Sequence, residues 1–421
     1  MPRYRRARAV SEKQGEKSMN TFTVGRRAFL ATAAAAVPFA ARAQTVAPVK
    51  IGILTDETGP YADSGGPGSI VAAQMAVADF GATVLGRPIA IVHADTQNKP
   101  DVAATIAGNW YDHDNVDVIL DLPVTAIAAV VQQAARQREK SIIITAAATS
   151  DFTSKTCAPT SIHFADDTHA LTAGTAKAVL ETGGKTWFFI TVDHAFGHAL
   201  QDETTKVVEA NGGKVLGAVR HPIGATDYAS FLLEAQSSGA QVVGFASVGG
   251  DLINLIKPAH EFGLAGNGGM RIATFLTYIT DIHALGLPVT RGLTFASSFY
   301  WDQSDESRAF AKRFAGARDG AMPTKNQAQI YSGTLHFLKA MAQAGSADPR
   351  AVNKAMRAMP VDYFGRATTI RADGRALFDL TLYRVKTPEE SHAPWDFYSP
   401  LRTIPAAEAF LPMDKACAGQ A

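Results

Sequence analysis

The chain has 421 residues, 47% of them hydrophobic and 19% charged, with 35 glycines, which fits an α/β protein of two or three domains. Its formal net charge of +1 misleads, because residues 1–43 hold nine of the 40 basic residues and two of the 39 acidic ones, leaving the remainder at −6. Such a surface excludes nucleic acid as an expected partner.

Met1–Ser18 is basic and polar without a core pattern, so either Met1 or Met19 can be the true start. Gly25-Arg26-Arg27-Ala28-Phe29-Leu30 precedes an Ala-rich apolar run, Ala31–Ala41, and Ala41-Arg42-Ala43 fits a signal-peptidase site. A twin arginine, a short apolar core and a small-x-small cleavage site make a twin-arginine export signal, removed near Ala43 to leave a periplasmic protein. The alternative is a buried N-terminal helix. The core is too short for a permanent anchor, and no later run is long and charge-free enough to span a bilayer.

Val49–Thr55 is the first strand, followed by a turn, Asp56-Glu57-Thr58-Gly59-Pro60-Tyr61, and the small, flexible stretch Ala62–Gly68. Helices are expected at Ile70–Phe80 and Pro100–Asp112, with a strand between them at Ile89–Ala94. Val116–Leu120, Ala126–Arg138 and Ser141–Thr145 then read strand, helix, strand, two parallel neighbours in a buried sheet. The loops after these two strands leave at the same edge, where open α/β sheets bind ligands. Thr125 in one loop and Thr149 and Ser150 in the other add hydroxyls to backbone N–H groups, a receptor for a carboxylate. Equally, these are ordinary βα turns with Thr and Ser as caps.

The pattern pauses at Ile162–Asp167 and restarts as a second β/α lobe. Its helices are expected at Ala170–Thr182, Ala199–Asn211, Tyr228–Ser238 and Leu252–Phe262, and its strands at Thr186–Val192, Lys214–Arg220, Gln241–Ala246 and Arg271–Phe275. A strand at Gly292–Ser298 leads to Tyr300-Trp301, which are either cleft aromatics or hinge packing. Helices follow at Ser307–Arg318, Gln327–Ala344 and Pro349–Met359. Thr368–Arg371 and Ala376–Val385 read as paired strands around an Asp373-Gly374 turn, and the tail to Ala421 as Pro-rich and irregular. Cys157 and Cys417 stand alone; two cysteines in an exported chain imply one disulfide tying the tail to the loop after Thr153, with two free thiols the alternative.

In order and spacing, several segments resemble the branched-chain amino-acid type of periplasmic solute-binding protein that feeds an ABC importer. They are Lys50-Ile51-Gly52-Ile53, Thr58-Gly59-Pro60-Tyr61, Leu85-Gly86-Arg87-Pro88-Ile89, Asp95-Thr96-Gln97, Ala148-Thr149-Ser150, Phe196-Gly197 and Pro222–Tyr228. The resemblance covers about residues 48–385. It implies the type I fold: two doubly wound α/β lobes joined by a three-crossing hinge, with the ligand in the cleft and closure on binding. It places crossings near Asp166, Ala296 and Arg371. The lobes then comprise residues 44–166 plus 297–371 and residues 167–296 plus 372–386, with 387–421 a tail. The family's carboxylate positions fall on Thr125 or Val124, then Ala147 and Thr149, with Ala148 also in the expected site. Tyr61, Phe196, Gly249, Thr277 and Tyr278 supply the rest of the expected site.

Amino-acid binders of the family pair the ligand's ammonium with an acid in the region of Thr274–Tyr278, and here Thr-Phe-Leu-Thr-Tyr contains none. An unpaired buried ammonium is costly, so a small hydrophobic or aromatic carboxylate is expected, as in the aromatic-acid-binding subgroup that Thr191–Leu200 and the Cys417 tail resemble. Two other readings remain open: a branched-chain or other amino-acid binder, and a periplasmic sensor signalling to a membrane partner. The implied partners are the ligand and an inner-membrane ABC permease, with the protein a monomer. No catalytic or metal site and no cofactor is expected. Asp112-His113-Asp114, Asp193-His194 and His198 read as surface groups, and no Gly-x-Ser-x-Gly elbow, Walker loop or dinucleotide fingerprint occurs.

Overall fold

The computed structural model describes residues 46–264 and 269–418; the export-signal reading lies outside them. β1 (Val49–Thr55) is the apolar centre of the first sheet, with Val49, Ile51, Ile53 and Leu54 fully buried, as a strand covered on both faces requires. There follow α1 (Gly66–Phe80), β2 (Thr83–Val84), β3 (Arg87–Asp95), α2 (Pro100–Asp112), β4 (Val118–Asp121), α3 (Thr125–Gln137), β5 (Ser141–Ile144) and β6 (Ser161–His163). The six strands run in the order β2-β3-β1-β4-β5-β6, all parallel except the β2 edge. α3 turns Ile127, Ala128, Val131 and Ala135 inward at helical spacing.

The second sheet is built from α4 (Thr168–Glu181), β7 (Thr186–Val192), α5 (Ala195–Ala210), β8 (Lys214–His221), α6 (Ala229–Ser237), β9 (Val242–Ala246), α7 (Gly250–Glu261) and β10 (Arg271–Thr274). It is parallel, in the order β10-β9-β7-β8. Short helices α8 (Ile279–Leu285) and α9 (Leu287–Thr290) precede β11 (Thr294–Ser297). The chain then returns to the first lobe through α10 (Asp305–Ala317), α11 (Lys325–Ala344) and α12 (Pro349–Ala358), and through the hairpins of β12 (Val361–Tyr363), β13 (Arg366–Ile370) and β14 (Ala376–Leu377). Tyr363, Ile370 and Ala376 pack into the same core as β1 and α11. β15 (Leu380–Val385) and β16 (Tyr398–Ile404) form an antiparallel sheet with β11, and α13 (Ala406–Ala409) ends the helices. Phe295, Tyr383, Val385 and Tyr398 of that sheet belong to the second lobe's core.

The chain thus passes between lobes at 163–168, 297–305 and 377–380. The first passage is knitted to the other two by buried charge. Asp166 accepts from Ser298 N–H (3.0 Å) and Gln329 Nε2 (3.0 Å) and pairs with Lys325 (3.2 Å). Asp167 caps α4 through Ala170 N–H and meets the fully buried Arg375 at 3.3 Å. Arg375 also donates to the Ala165 carbonyl and to His163 Nδ1.

The structure corrects the sequence reading in three places. The pause at Ile162–Asp167 contains a strand, β6, too short to show a period. The run Ala376–Val385 is two strands in different sheets, because β14 pairs with β13 and β15 with β11 and β16. The tail is not irregular: β16 carries Pro400, tolerated because this strand lies at a sheet edge. Cys157 and Cys417 are joined, with Cα atoms 6.0 Å apart. Among the described residues no helix is long and apolar enough to cross a membrane.

Candidate functional site

A narrow cavity of about 20 Å3 lies between the lobes, much smaller than an open ligand pocket, as expected where two lobes have closed on each other. Its wall is made by loops that leave the carboxyl ends of three strands in each sheet. Tyr61 and Ser64 follow β1, Pro123 to Thr125 follow β4, and Ala146 and Ala148 follow β5. From the other lobe come His194 and Phe196 after β7, Val248 after β9, and Leu276 and Tyr278 after β10; Asn326 enters from the start of α11. The lining contains no carboxylate, lysine or arginine.

Local sequence sets each wall. Asp56, at the end of β1, accepts from Gly59 N–H (2.7 Å), Tyr61 N–H (2.9 Å) and Asn98 Nδ2 (2.8 Å), fixing the turn that carries Tyr61. After β4, Asp121 and Leu122 adopt φ of 82° and 69°, a left-handed conformation that costs non-glycine residues stability and clusters at functional sites. Backbone bonds from Leu122 N–H to Leu54 O (3.0 Å) and from Ala147 N–H to Leu122 O (3.0 Å) hold it. The bend delivers Val124 as the N-cap of α3, where no side chain caps the helix. Valine is among the poorest N-caps, so the first-turn N–H groups at Thr125 stay without a side-chain acceptor, beside the positive end of the helix dipole.

Three buried polar atoms of the lining have no partner: Tyr61 OH, Thr125 Oγ1 and His194 Nε2. Burial drives the Tyr61 hydroxyl's pKa upward, so it keeps its proton. Burial, followed by the charges of His198 and His221, lowers the His194 pKa to about 4, so the ring is neutral at neutral pH. Its Nδ1 accepts from Phe196 N–H at 3.2 Å, which leaves the ring proton on Nε2. Tyr278 OH accepts from Asn326 Nδ2 at 2.9 Å, closing the wall between lobes.

Of the residues named from sequence, Tyr61, Thr125, Ala148, Phe196 and Tyr278 line this cavity. Ala147, Thr149, Gly249 and Thr277 do not. The Ala147 carbonyl is held by His163 Nε2 at 2.8 Å. Thr149 Oγ1 accepts from Asp151 N–H, capping the turn Ser150–Thr153. Gly249, at φ 60°, lies under the facing lobe: a Cβ there would sit 2.8 Å from the Pro60 carbonyl oxygen. Thr277 faces a separate pocket with Lys325 and Tyr398. Tyr300 and Trp301 are packing residues that both donate to the Trp395 carbonyl. His194 is no surface histidine, whereas His198 is tied to Asp193 at 2.8 Å. Ser64 and Asn326 carry no sequence signal of their own; the Asp193-His194 step into a helix was the signal for His194.

Residues 48–391 match the periplasmic binding protein family. A periplasmic binding protein from Burkholderia mallei is 46% identical, with a TM-score of 0.85 over 88% of this chain and 97% of that one. A periplasmic ligand-binding protein of a branched-chain amino-acid ABC transporter from Burkholderia xenovorans is 38% identical, with a TM-score of 0.77 over 86% and 97%. A solute-binding protein from R. palustris, solved with benzoate, shares the fold at 20% identity, with a TM-score of 0.78 over 89% and 100%. A Leu/Ile/Val-binding protein homologue from Brucella melitensis is 25% identical over 67% of this chain and 72% of its own length. With most of the described chain matched and near-full-length relatives of the same architecture, this protein belongs to the periplasmic binding protein family.

Proposed function

We propose that this protein is the periplasmic solute-binding component of an ABC importer, exported by its Arg26-Arg27 leader as a monomer, and that it delivers a small aromatic or hydrophobic carboxylate to the permease. The observation that carries the reading is the chemistry of the cavity: unpartnered donors, an uncapped helix N-terminus and no acid in the lining. A carboxylate seated at Thr125 and the α3 N–H groups gains charge-assisted hydrogen bonds of about 1.5–3 kcal/mol each. The lining itself offers an ammonium no counter-charge; Asp251 is not among the lining residues, its Oδ1 taken by Gly224 N–H and Tyr228 O–H and its Oδ2 buried without a partner. Phe196, Leu276 and Val248 supply apolar walls for a ring. Benzoate and its hydroxylated forms in related structures support the same class.

A thermal-shift screen of benzoate-type acids against proteinogenic amino acids tests the proposal. Stabilisation by aromatic acids and none by leucine, isoleucine or valine is expected. Stabilisation by leucine alone would restore the amino-acid reading, which the branched-chain amino-acid transporter protein of Burkholderia xenovorans and the Leu/Ile/Val-binding homologue of Brucella favour.

A further inference from the structure

Each lobe's wall of the cavity offers donors. The first lobe presents α3's N–H groups and the Thr125 hydroxyl. The second presents His194, held at the N-cap of α5 with its Nδ1 committed to Phe196 N–H, so that its Nε2–H has a fixed direction and no partner. A buried donor left unpaired costs about 1–3 kcal/mol, and the site keeps that donor where an apolar residue would fill the same space. A carboxylate held at α3 satisfies one wall only.

Resting on the aromatic-carboxylate reading above, we propose that His194 is a specificity-determining residue that donates from Nε2 to a neutral oxygen on the far side of the ligand's ring, so that the preferred solute is a hydroxy- or oxo-substituted aromatic monocarboxylate. The oxygen is neutral because the lining holds no lysine or arginine, and the ring itself carries no charge at neutral pH. A second carboxylate would therefore be buried against His194 without a counter-ion. The first-turn N–H of α5 at Phe196 is already used by His194 Nδ1 and is not free to receive it. A ring amino group fails for the opposite reason: it brings donors and a poor acceptor to a donor.

The test is calorimetric titration of the wild type and His194→Phe with benzoate, 4-hydroxybenzoate, 3-hydroxybenzoate, 4-aminobenzoate and terephthalate. In the wild type, one of the hydroxybenzoates should bind at least about tenfold more tightly than benzoate, as expected where a built donor is otherwise unpaired. 4-Aminobenzoate and terephthalate should bind no better than benzoate. His194→Phe should weaken the preferred hydroxybenzoate more than benzoate and so remove the preference, with circular dichroism and melting confirming the fold. His194→Gln, which keeps a donor, should restore part of the preference. Equal loss of benzoate and hydroxybenzoates in a folded His194→Phe protein would place His194 on the carboxylate and overturn the inference. Tighter binding of terephthalate, or of benzoate over both hydroxylated acids, would overturn it too. If no aromatic acid binds at all, the functional reading itself fails, a separate outcome from loss of discrimination among acids that do bind.

Discussion

Thr125 and Thr149 carry the same hydroxyl at the ends of adjacent strands, yet only one is available to a guest. Thr149 Oγ1 is spent on Asp151 N–H, whereas Thr125 Oγ1 is buried in the cavity wall without a partner. Thr125→Val, which keeps the shape and removes the hydroxyl, should weaken benzoate binding about tenfold, the equivalent of one hydrogen bond of about 1.4 kcal/mol. Thr149→Ala should leave that affinity nearly unchanged and lower unfolding stability by about 0.5–2 kcal/mol, the usual cost of a lost cap. Titration calorimetry and denaturant unfolding on the two variants separate these effects, and a Thr149→Ala protein that loses binding as Thr125→Val does would reverse the assignment. Tyr61, Thr125, Ala148, Phe196 and Tyr278 could be read from sequence because residues just past a strand's carboxyl end have few places to go. Which hydroxyl turns inward could not, since a hydrogen bond across two residues decides it. Asn326 reaches the site from a helix distant in sequence, and nothing local marks it.

At the scale of elements, helix α5 contacts the first lobe beside α3 and through a carboxyl group. Glu203 Oε1 accepts from Ser150 Oγ (2.6 Å), in the loop after β5, and from Thr168 Oγ1 (2.9 Å), at the first passage between lobes. His169 lies 3.7 Å from Oε2. Burial pushes the Glu203 pKa up to about 7, with Asp167 adding to the rise and the hydroxyl bonds and Lys206 opposing it. A carboxyl whose folded pKa is raised holds its proton while the unfolded chain has already lost its own, so its contribution to stability falls as pH rises from the ordinary glutamate range through about 7 and is level above that. Cleft opening that parts Ser150 from Glu203 would rehydrate the carboxyl and act in the same sense. Ligand affinity should therefore strengthen as pH is lowered from 8 to 6, and Glu203→Gln should flatten the profile; an unchanged slope in that variant would assign the dependence elsewhere. The major elements were legible because long β-branched runs and amphipathic spacing announce themselves. β6 and β16 escaped notice because one spans three residues and the other contains a proline, so neither carries a local pattern. Their existence is decided by tertiary pairing, β6 with β5 and β16 with β15.

Across the whole molecule, the disulfide does more than anchor a terminus. β16 lies in the sheet that packs into the second lobe, while Cys157 follows the loop of the first lobe that borders the cavity. On the way back, Arg371 donates to the Leu411 carbonyl (2.8 Å) and Phe410 lies 4.6 Å over the Arg375 guanidinium. The bond closes a sequence separation of 260 residues, and its removal by Cys157→Ser with Cys417→Ser should cost about 2–5 kcal/mol of unfolding free energy. Thiol titration of unreduced protein should find no reactive cysteine; two would refute the link. The tail that leaves β16 is thus fastened to the first lobe through Arg371, Arg375 and the disulfide, a fourth link between the lobes beside the three chain passages. Faster release of benzoate from the double-serine protein in stopped-flow exchange checks this, and identical release rates would deny it. On the function proposed above, in which solute enters and leaves only while the cleft is parted, the tie would act on tempo, prolonging the time that cargo is held before the lobes are drawn apart.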